Sequence, residues 1–423
     1  MRLVVAFIYC IANFAAFAQR PPQHIAPILP GAYQTYAYLP LLKGKRVAVF
    51  ANQTTTIFQT HLIDSLQQLG INIVKIFAPE HGFRGVADAG EKVDSYIDKP
   101  TGIPVISLYG KRYKPTAVDL KDIDILLFDI QDVGVRFYTF ISSLQGFIES
   151  AIQYDKPLII LDRPNPNGFY IDGPVLEMDY KSFVGMQPIP IVYGMTIGEY
   201  AKMLLGEKML DWKYIHKEDH QTSLGELLGF EEEHHNFKLT VIPCKNYTHA
   251  TKYVLPIRPS PNLPDMASVY WYPTTCLFEG TVLSEGRGTD HPFCIFGHPS
   301  LPDTLFTFTP TVRLGAKEPK QKDKLCHGWD VHDIDIVHQA NKQLQLKYLL
   351  NAWQLFPEKD SFFIAPLSDS PFEFFFNKLA GNSLLMEQIK AGKTEAEIRQ
   401  SWQPKLKAFK QIRKKYLLYK DFE

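Results

Sequence analysis

Ile73-Val74-Lys75-Ile76-Phe77, followed at once by Ala78-Pro79-Glu80-His81-Gly82-Phe83-Arg84-Gly85, is the stretch that decides the fold. A short apolar run ending in turn-forming residues reads as a buried strand. The polar residues after it then sit on a loop at the strand's carboxyl end, the edge where open α/β sheets bind ligands. The run has counterparts along the chain. Residues 46–51 give way to Asn52-Gln53-Thr54-Thr55, and 105–108 follow Gly102 and Pro104. Residues 123–129 end in Gln131-Asp132, and 157–161 end in Asp162-Arg163-Pro164-Asn165-Pro166. Helical spacing separates them, over 61–69 before Gly70 and over about 139–154. A further strand is expected at 239–242, and a helix over 195–205 with Thr196 as its cap. Apolar strands alternating with helices predict an α/β fold, a doubly wound and mostly parallel sheet covered on both faces.

The chain's beginning reads differently. Arg2 precedes an apolar run over 3–12, and Ala16-Phe17-Ala18 fits a small-x-small cleavage site. This is the pattern of a secretory signal peptide, cleaved after Ala18, and it predicts an exported, periplasmic or secreted protein. The run falls short of the roughly 20 apolar residues that span a bilayer, and no later stretch suffices. Residues 19–35 are expected to be an extended lead-in. A main domain over 36–260 and a smaller auxiliary α/β domain over 261–423 follow, joined at Pro256, Pro259, Pro261 and Pro264. Lys plus Arg and Asp plus Glu both number 45, so no net charge exists to hold nucleic acid or an anionic membrane. Cys244, Cys276, Cys294 and Cys326 show no zinc spacing and read as free buried thiols.

Four polar clusters carry the chemistry. In the first, Glu80, His81 and Arg84 place a carboxylate, an imidazole and a guanidinium on one glycine-flexed loop, suited to proton transfer. The second runs through Glu279-Gly280-Thr281 and Ser284-Glu285-Gly286-Arg287-Gly288-Thr289, where glycines free the backbone to approach a ligand. It lacks the phosphate-loop pattern, and His291 breaks the dinucleotide one. The third holds Asp129, Gln131, Asp132, Arg136 and Tyr138, and the fourth holds Asn165 between two prolines. Each also has a plain structural reading, as a tight turn or an ion-paired rim.

Taken in order, these segments resemble a known family. Pro79–Gly85, Asp129–Gly134, Asp162–Pro166, Ser182-Phe183-Val184-Gly185 and Tyr193-Gly194-Met195-Thr196 come first. Phe278-Glu279-Gly280-Thr281, Ser284–Thr289 and Arg413-Lys414-Lys415-Tyr416-Leu417-Leu418-Tyr419 follow. The set is similar to the NamZ-like exo-β-N-acetylmuramidases over almost the whole mature chain. The resemblance implies a Rossmann-like domain joined to a smaller α/β domain, with the active site between them. It implies release of N-acetylmuramic acid from the non-reducing end of peptidoglycan-derived saccharides such as MurNAc-GlcNAc, with no cofactor and no metal.

β-Glycoside hydrolysis uses two carboxyl groups, one to protonate the leaving oxygen and one to attack or to activate water. Glu80 is the expected acid/base, tuned by His81. The second carboxyl is sought among Glu279, Glu285, Glu177 and Asp132, with the Glu279/Glu285 pair ranked first. Arg84, Arg136 or Arg287 is expected to bind the lactyl carboxylate. Asp129, Gln131, Asp132, Tyr138, Asn165 and Thr289 are expected to contact the sugar. Two other readings stay open: a non-catalytic exported sugar- or muropeptide-binding protein, and a metal-dependent hydrolase using His81, Asp129 and Asp132.

Overall fold

The computed structural model describes residues 26–85, 91, 94–211, 237–335, 342–368 and 370–423. The signal-peptide expectation over 1–18, and residues 19–25 of the lead-in, lie outside them. Among the described residues the central sheet has seven strands: β1 (Arg46–Phe50), β4 (Asn72–Ala78), β5 (Tyr96–Ile97), β6 (Pro104–Ser107), β7 (Ile125–Phe128), β8 (Leu158–Leu161) and β9 (Leu239–Ile242). Their spatial order is β5-β6-β4-β1-β7-β8-β9. All neighbours pair in parallel except β5 with β6. Without the short edge strand β5, the six parallel strands lie in the 3-2-1-4-5-6 order of the Rossmann arrangement. A small ribbon, β2 (Thr56–Ile57) with β3 (Thr60–His61), leads out of β1.

Both faces of the sheet are covered, and β1 shows how. Ala48 and Phe50 pack into one core cluster, while Val47, Val49 and Ala51 pack into another. Successive side chains of a strand point to opposite faces, so an unbroken apolar strand needs a core on each side. Helices α3 (Ala117–Leu120), α4 (Phe140–Gln153) and α5 (Ile197–Gly206) contribute to the first cluster. Helices α1 (Thr35–Leu42) and α2 (Leu62–Gln68) supply the second. Thr196 caps α5 through a reciprocal box with Glu199.

The lead-in is more structured than expected. Leu29 pairs with Lys245 through both backbone groups, and Gly31–Tyr33 forms a 3-10 turn. Gly31 donates to the Asp162 carbonyl at 2.7 Å. A Cβ there would meet the Ile242 carbonyl at 2.3 Å, so only glycine admits this approach.

After β9 the chain builds α6 (Met266–Thr275) and a 3-10 turn over Cys276–Gly280. A three-stranded antiparallel sheet follows, with β10 (Ile295–His298) and β11 (Phe306–Phe308) flanking β12 (Cys326–Asp330). Among the described residues, helices α7 (Lys347–Leu355), α8 (Phe375–Ala380), α9 (Leu384–Lys390) and α10 (Glu395–Lys414) then follow. Cys244, Cys276, Cys294 and Cys326 are buried free thiols. No helix among the described residues is long and apolar enough to cross a membrane.

Candidate active site

The carboxyl ends of β4 and β6 open onto a cavity of about 300 Å³. Glu80 stands two residues beyond β4, and Tyr109 two residues beyond β6. A tight turn follows Pro79, whose carbonyl accepts from Gly82 N at 3.0 Å. It holds buried His81 at φ +66° in the left-handed region, a costly conformation for a side chain with a Cβ. His81 and Glu80 both line the cavity. The Thr139 hydroxyl, at the N-cap of α4, donates to Glu80 Oε2 at 3.3 Å, and the Tyr109 hydroxyl also hydrogen-bonds Glu80. Burial, reinforced by Glu80 and by Glu279, pushes the Tyr109 phenol up. Tyr109 therefore feels both acids.

Glu279 lines the same cavity, carried on the 3-10 turn that prolongs α6. Arg287 Nη2 donates to Glu279 Oε1 at 2.6 Å, and its Nε lies 3.2 Å from Glu285 Oε1. Lys320 Nζ lies 2.9 Å from Glu285 Oε2. Burial and the Glu285 charge hold Glu279 above its usual range, against the pull of Arg287. Burial would raise Glu285 too, but Lys320 and Arg287 outweigh it and hold that carboxyl low. Arg287 and Lys320 thus hold two neighbouring carboxyls apart, with Glu279 high and Glu285 low. Gly286 and Gly288, both at φ +83°, bracket Arg287 and aim it inward.

Aromatic rings form the walls. Tyr113 and Phe183 sit with centroids 4.2 Å apart, and Tyr272 meets Phe293 edge-on at 4.8 Å. Tyr138 also lines the cavity and donates its hydroxyl to the Pro259 carbonyl at 2.9 Å. A second cavity, of about 430 Å³, shares Glu279, Arg287 and Phe375 with the first and adds Glu285, Lys317 and Lys320.

The structure brings together Glu80, His81, Tyr138, Glu279, Glu285 and Arg287 across these two joined cavities. Other expected contacts fall elsewhere, each for a physical reason. Arg84 is taken by Asp98 in a forked pair, with Nη2 at 2.7 Å from Oδ2. Arg136 is fully buried and donates to the carbonyls of Pro174, Ile189 and Leu379, which leaves it bracing the fold rather than binding an anion. Asp129 is buried against Arg163, at 2.6 and 2.8 Å. Asp132 accepts from Gly134 N and the Tyr193 hydroxyl, and burial pushes it up to about 7. Gln131 donates to the Asp132 and Pro164 carbonyls, and Asn165 to the Met195 carbonyl. Thr289 donates to the Gly286 carbonyl and faces a separate cavity of about 330 Å³. His81, Asp129 and Asp132 do not form a metal-ligand group. Among the described residues that grouping is met by Asp265, His291 and His332.

Sequence reasoning missed Tyr109, Tyr113, Thr139, Phe183, Tyr272 and Lys320. Tyr109 had a usable signal, because it follows a strand's carboxyl end.

The order of these segments has a match in known proteins. The model for the N-terminal part of the exo-β-N-acetylmuramidase NamZ covers residues 47–267, and the model for its C-terminal part covers 270–419. The chain belongs to the exo-β-N-acetylmuramidase NamZ family. The peptidoglycan β-N-acetylmuramidase NamZ of Bacillus subtilis (strain 168) is a family relative, 38% identical over 408 residues, which are 90% of this chain and 89% of that protein. Two solved structures of DUF1343 family proteins from Bacteroides fragilis NCTC 9343 share the architecture. One is 44% identical with a TM-score of 0.80, covering 94% of this chain and 100% of its own. The other is 30% identical with a TM-score of 0.74, covering 93% and 99%.

Proposed function

We propose that this chain is an exo-acting β-N-acetylmuramidase, a glycosidase that releases N-acetylmuramic acid from the non-reducing end of peptidoglycan fragments such as MurNAc-GlcNAc. The observation that carries the reading is the convergence of Glu80 and Glu279, 199 positions apart in the chain, on one cavity, where Tyr109 interacts with both. Glu80 protonates the leaving oxygen, positioned by the Thr139 and Tyr109 hydroxyls. Glu279 is the partner carboxyl that attacks the sugar or activates water. Glu285 touches no substrate; it fixes Arg287, which presents its guanidinium to the lactyl carboxylate of muramic acid. The aromatic walls take the apolar faces of the sugar ring. Family membership supports the substrate class.

The experiment is product analysis with purified protein. Incubation with MurNAc-GlcNAc should yield free N-acetylmuramic acid. A fragment whose non-reducing end is capped by N-acetylglucosamine should stay intact. Cleavage within the capped fragment would contradict the exo reading, and saturable binding without turnover would favour the sugar-binding alternative.

Export is the matching proposal for location, supported by the apolar run over 3–12 and by Ala16-Phe17-Ala18. Amino-terminal sequencing of protein recovered outside the cytoplasm should begin at Gln19.

A further inference from the structure

We propose that Asp265, His291 and His332 form a binding site for a divalent first-row transition cation, zinc above all, that clamps the Arg287 loop to the start of α6. One donor atom from each of the three side chains lies within 4.8 Å of the other two. The residues come from three separate segments. Asp265 is the N-cap of α6, His291 lies four residues past Arg287, and His332 lies two residues past β12. Two imidazoles and a carboxylate are the borderline donors that zinc and its neighbours prefer.

The surroundings resemble a metal site's outer shell. His332 Nε2 lies 3.2 Å from Asp265 Oδ2, while its Nδ1 lies 3.2 Å from Asp333 Oδ1. A carboxylate on the far nitrogen of a ligating histidine fixes the ring and strengthens it as a donor. The other Asp265 oxygen accepts from Ser268 N at 2.8 Å, and His332 N donates to Asp330 Oδ1 at 2.9 Å. Hydrogen bonding thus accounts for His332. It does not account for His291, whose ring lies 3.7 Å from that of His332, centroid to centroid, and whose buried Nδ1 has no hydrogen-bond partner. Polar atoms are seldom buried unpaired, and a cation shared by both rings gives that second imidazole a role. Zinc bonds of about 2.1 Å set tetrahedral ligand atoms about 3.4 Å apart, so closure needs side-chain shifts of roughly 1 Å.

None of the three residues lines the Glu80 cavity, so the cation is a clamp and not a participant in hydrolysis. The His291 carbonyl accepts from Cys294 N and Ile295 N, both at 3.0 Å, so holding this residue fixes where the glycine-bracketed loop joins β10.

The test is calorimetric titration of the full chain, first stripped with chelator, with Zn²⁺, and in parallel with Mn²⁺ and Ni²⁺. The expected result is about one Zn²⁺ per chain with a Kd near or below ~1 μM, and a rise in melting temperature on binding. His291→Ala and His332→Ala should each weaken binding at least ~10-fold, as should Asp333→Asn through the outer shell. His327→Ala is the control and should bind normally. Circular dichroism checks that each variant folds; His291→Gln and Asp265→Asn replace any that does not. No saturable binding of any of the three ions, or equal affinity in the His291 and His332 variants, would overturn the proposal. Because the readout is binding, its failure is distinct from any failure of the muramidase reading.

Discussion

Glu279 lies under opposing influences whose balance is measurable. Burial and Glu285 raise it, while Arg287 and Lys320 lower it, and the net position is above the ordinary 4.5. If Glu279 acts as a carboxylate, activity must fall as pH drops through that raised pKa. The acidic limb of kcat/KM should therefore lie above pH 4.5. Arg287→Gln removes a lowering charge and should move the limb to higher pH. Glu285→Gln removes a raising charge and should move it lower. Profiles of the three proteins check this; a limb that neither substitution moves would remove Glu279 as the titrating group. At this scale the sequence led to the cavity where chemistry and position coincided, for Glu80, His81 and Arg287 all line it. It misled at Arg136, because an arginine near a strand end looks the same whether it meets a ligand or three backbone carbonyls. Those carbonyls, from Pro174, Ile189 and Leu379, are brought together only by folding. Lys320 was silent for the converse reason. Within Lys317-Glu318-Pro319-Lys320 it reads as a solvated charge run, and only packing sets it against Glu285.

The loop between the 3-10 turn and β10 is the element on which the site depends. Ser284 and Gly297 exchange backbone hydrogen bonds at 2.8 and 3.0 Å, and Phe293 N donates to the Glu285 carbonyl at 2.7 Å. Gly286 makes that path possible: a Cβ there would lie 2.2 Å from the Ile295 carbonyl, at a φ that L-residues rarely adopt. Gly286→Ala should therefore displace Arg287, lowering the melting temperature and cutting kcat/KM at least ~10-fold. Paired thermal unfolding and kinetics check it; a variant with unchanged activity would show that the loop's path is not critical. The strands of the central sheet were readable because buried parallel strands are apolar throughout. Elements whose local signals conflict were not. Pro40 and the proline-rich approach hid α1, and the aromatic run Val269-Tyr270-Trp271-Tyr272-Pro273 hid α6, which tolerates Pro273 near its end.

The last helix returns to brace the whole molecule. Arg399 on α10 pairs with Asp172 at 2.8 Å, and the Tyr419 hydroxyl reaches Asp162 beyond β8. Arg413 is fully buried, donating to the Gly194 carbonyl at 2.8 Å and gripping Asp421 at 2.7 and 2.9 Å. Arg413→Ala leaves the Gly194 carbonyl and the half-buried Asp421 without their partner and should cost about 1–3 kcal/mol in urea unfolding. A loss under ~1 kcal/mol would mean that the brace is incidental. No local pattern announces the contacts to Asp172, Asp162 and Gly194, which span more than 200 positions. They stabilise the framework on which Glu80 and Glu279 line one cavity. The most direct test of that arrangement is the turnover of a chromogenic β-N-acetylmuramide by Glu80→Gln and Glu279→Gln, each verified as folded. Loss of at least ~10²-fold in kcat in both variants is the predicted result. Near-normal turnover in either would contradict a reaction driven by this pair of carboxyl groups.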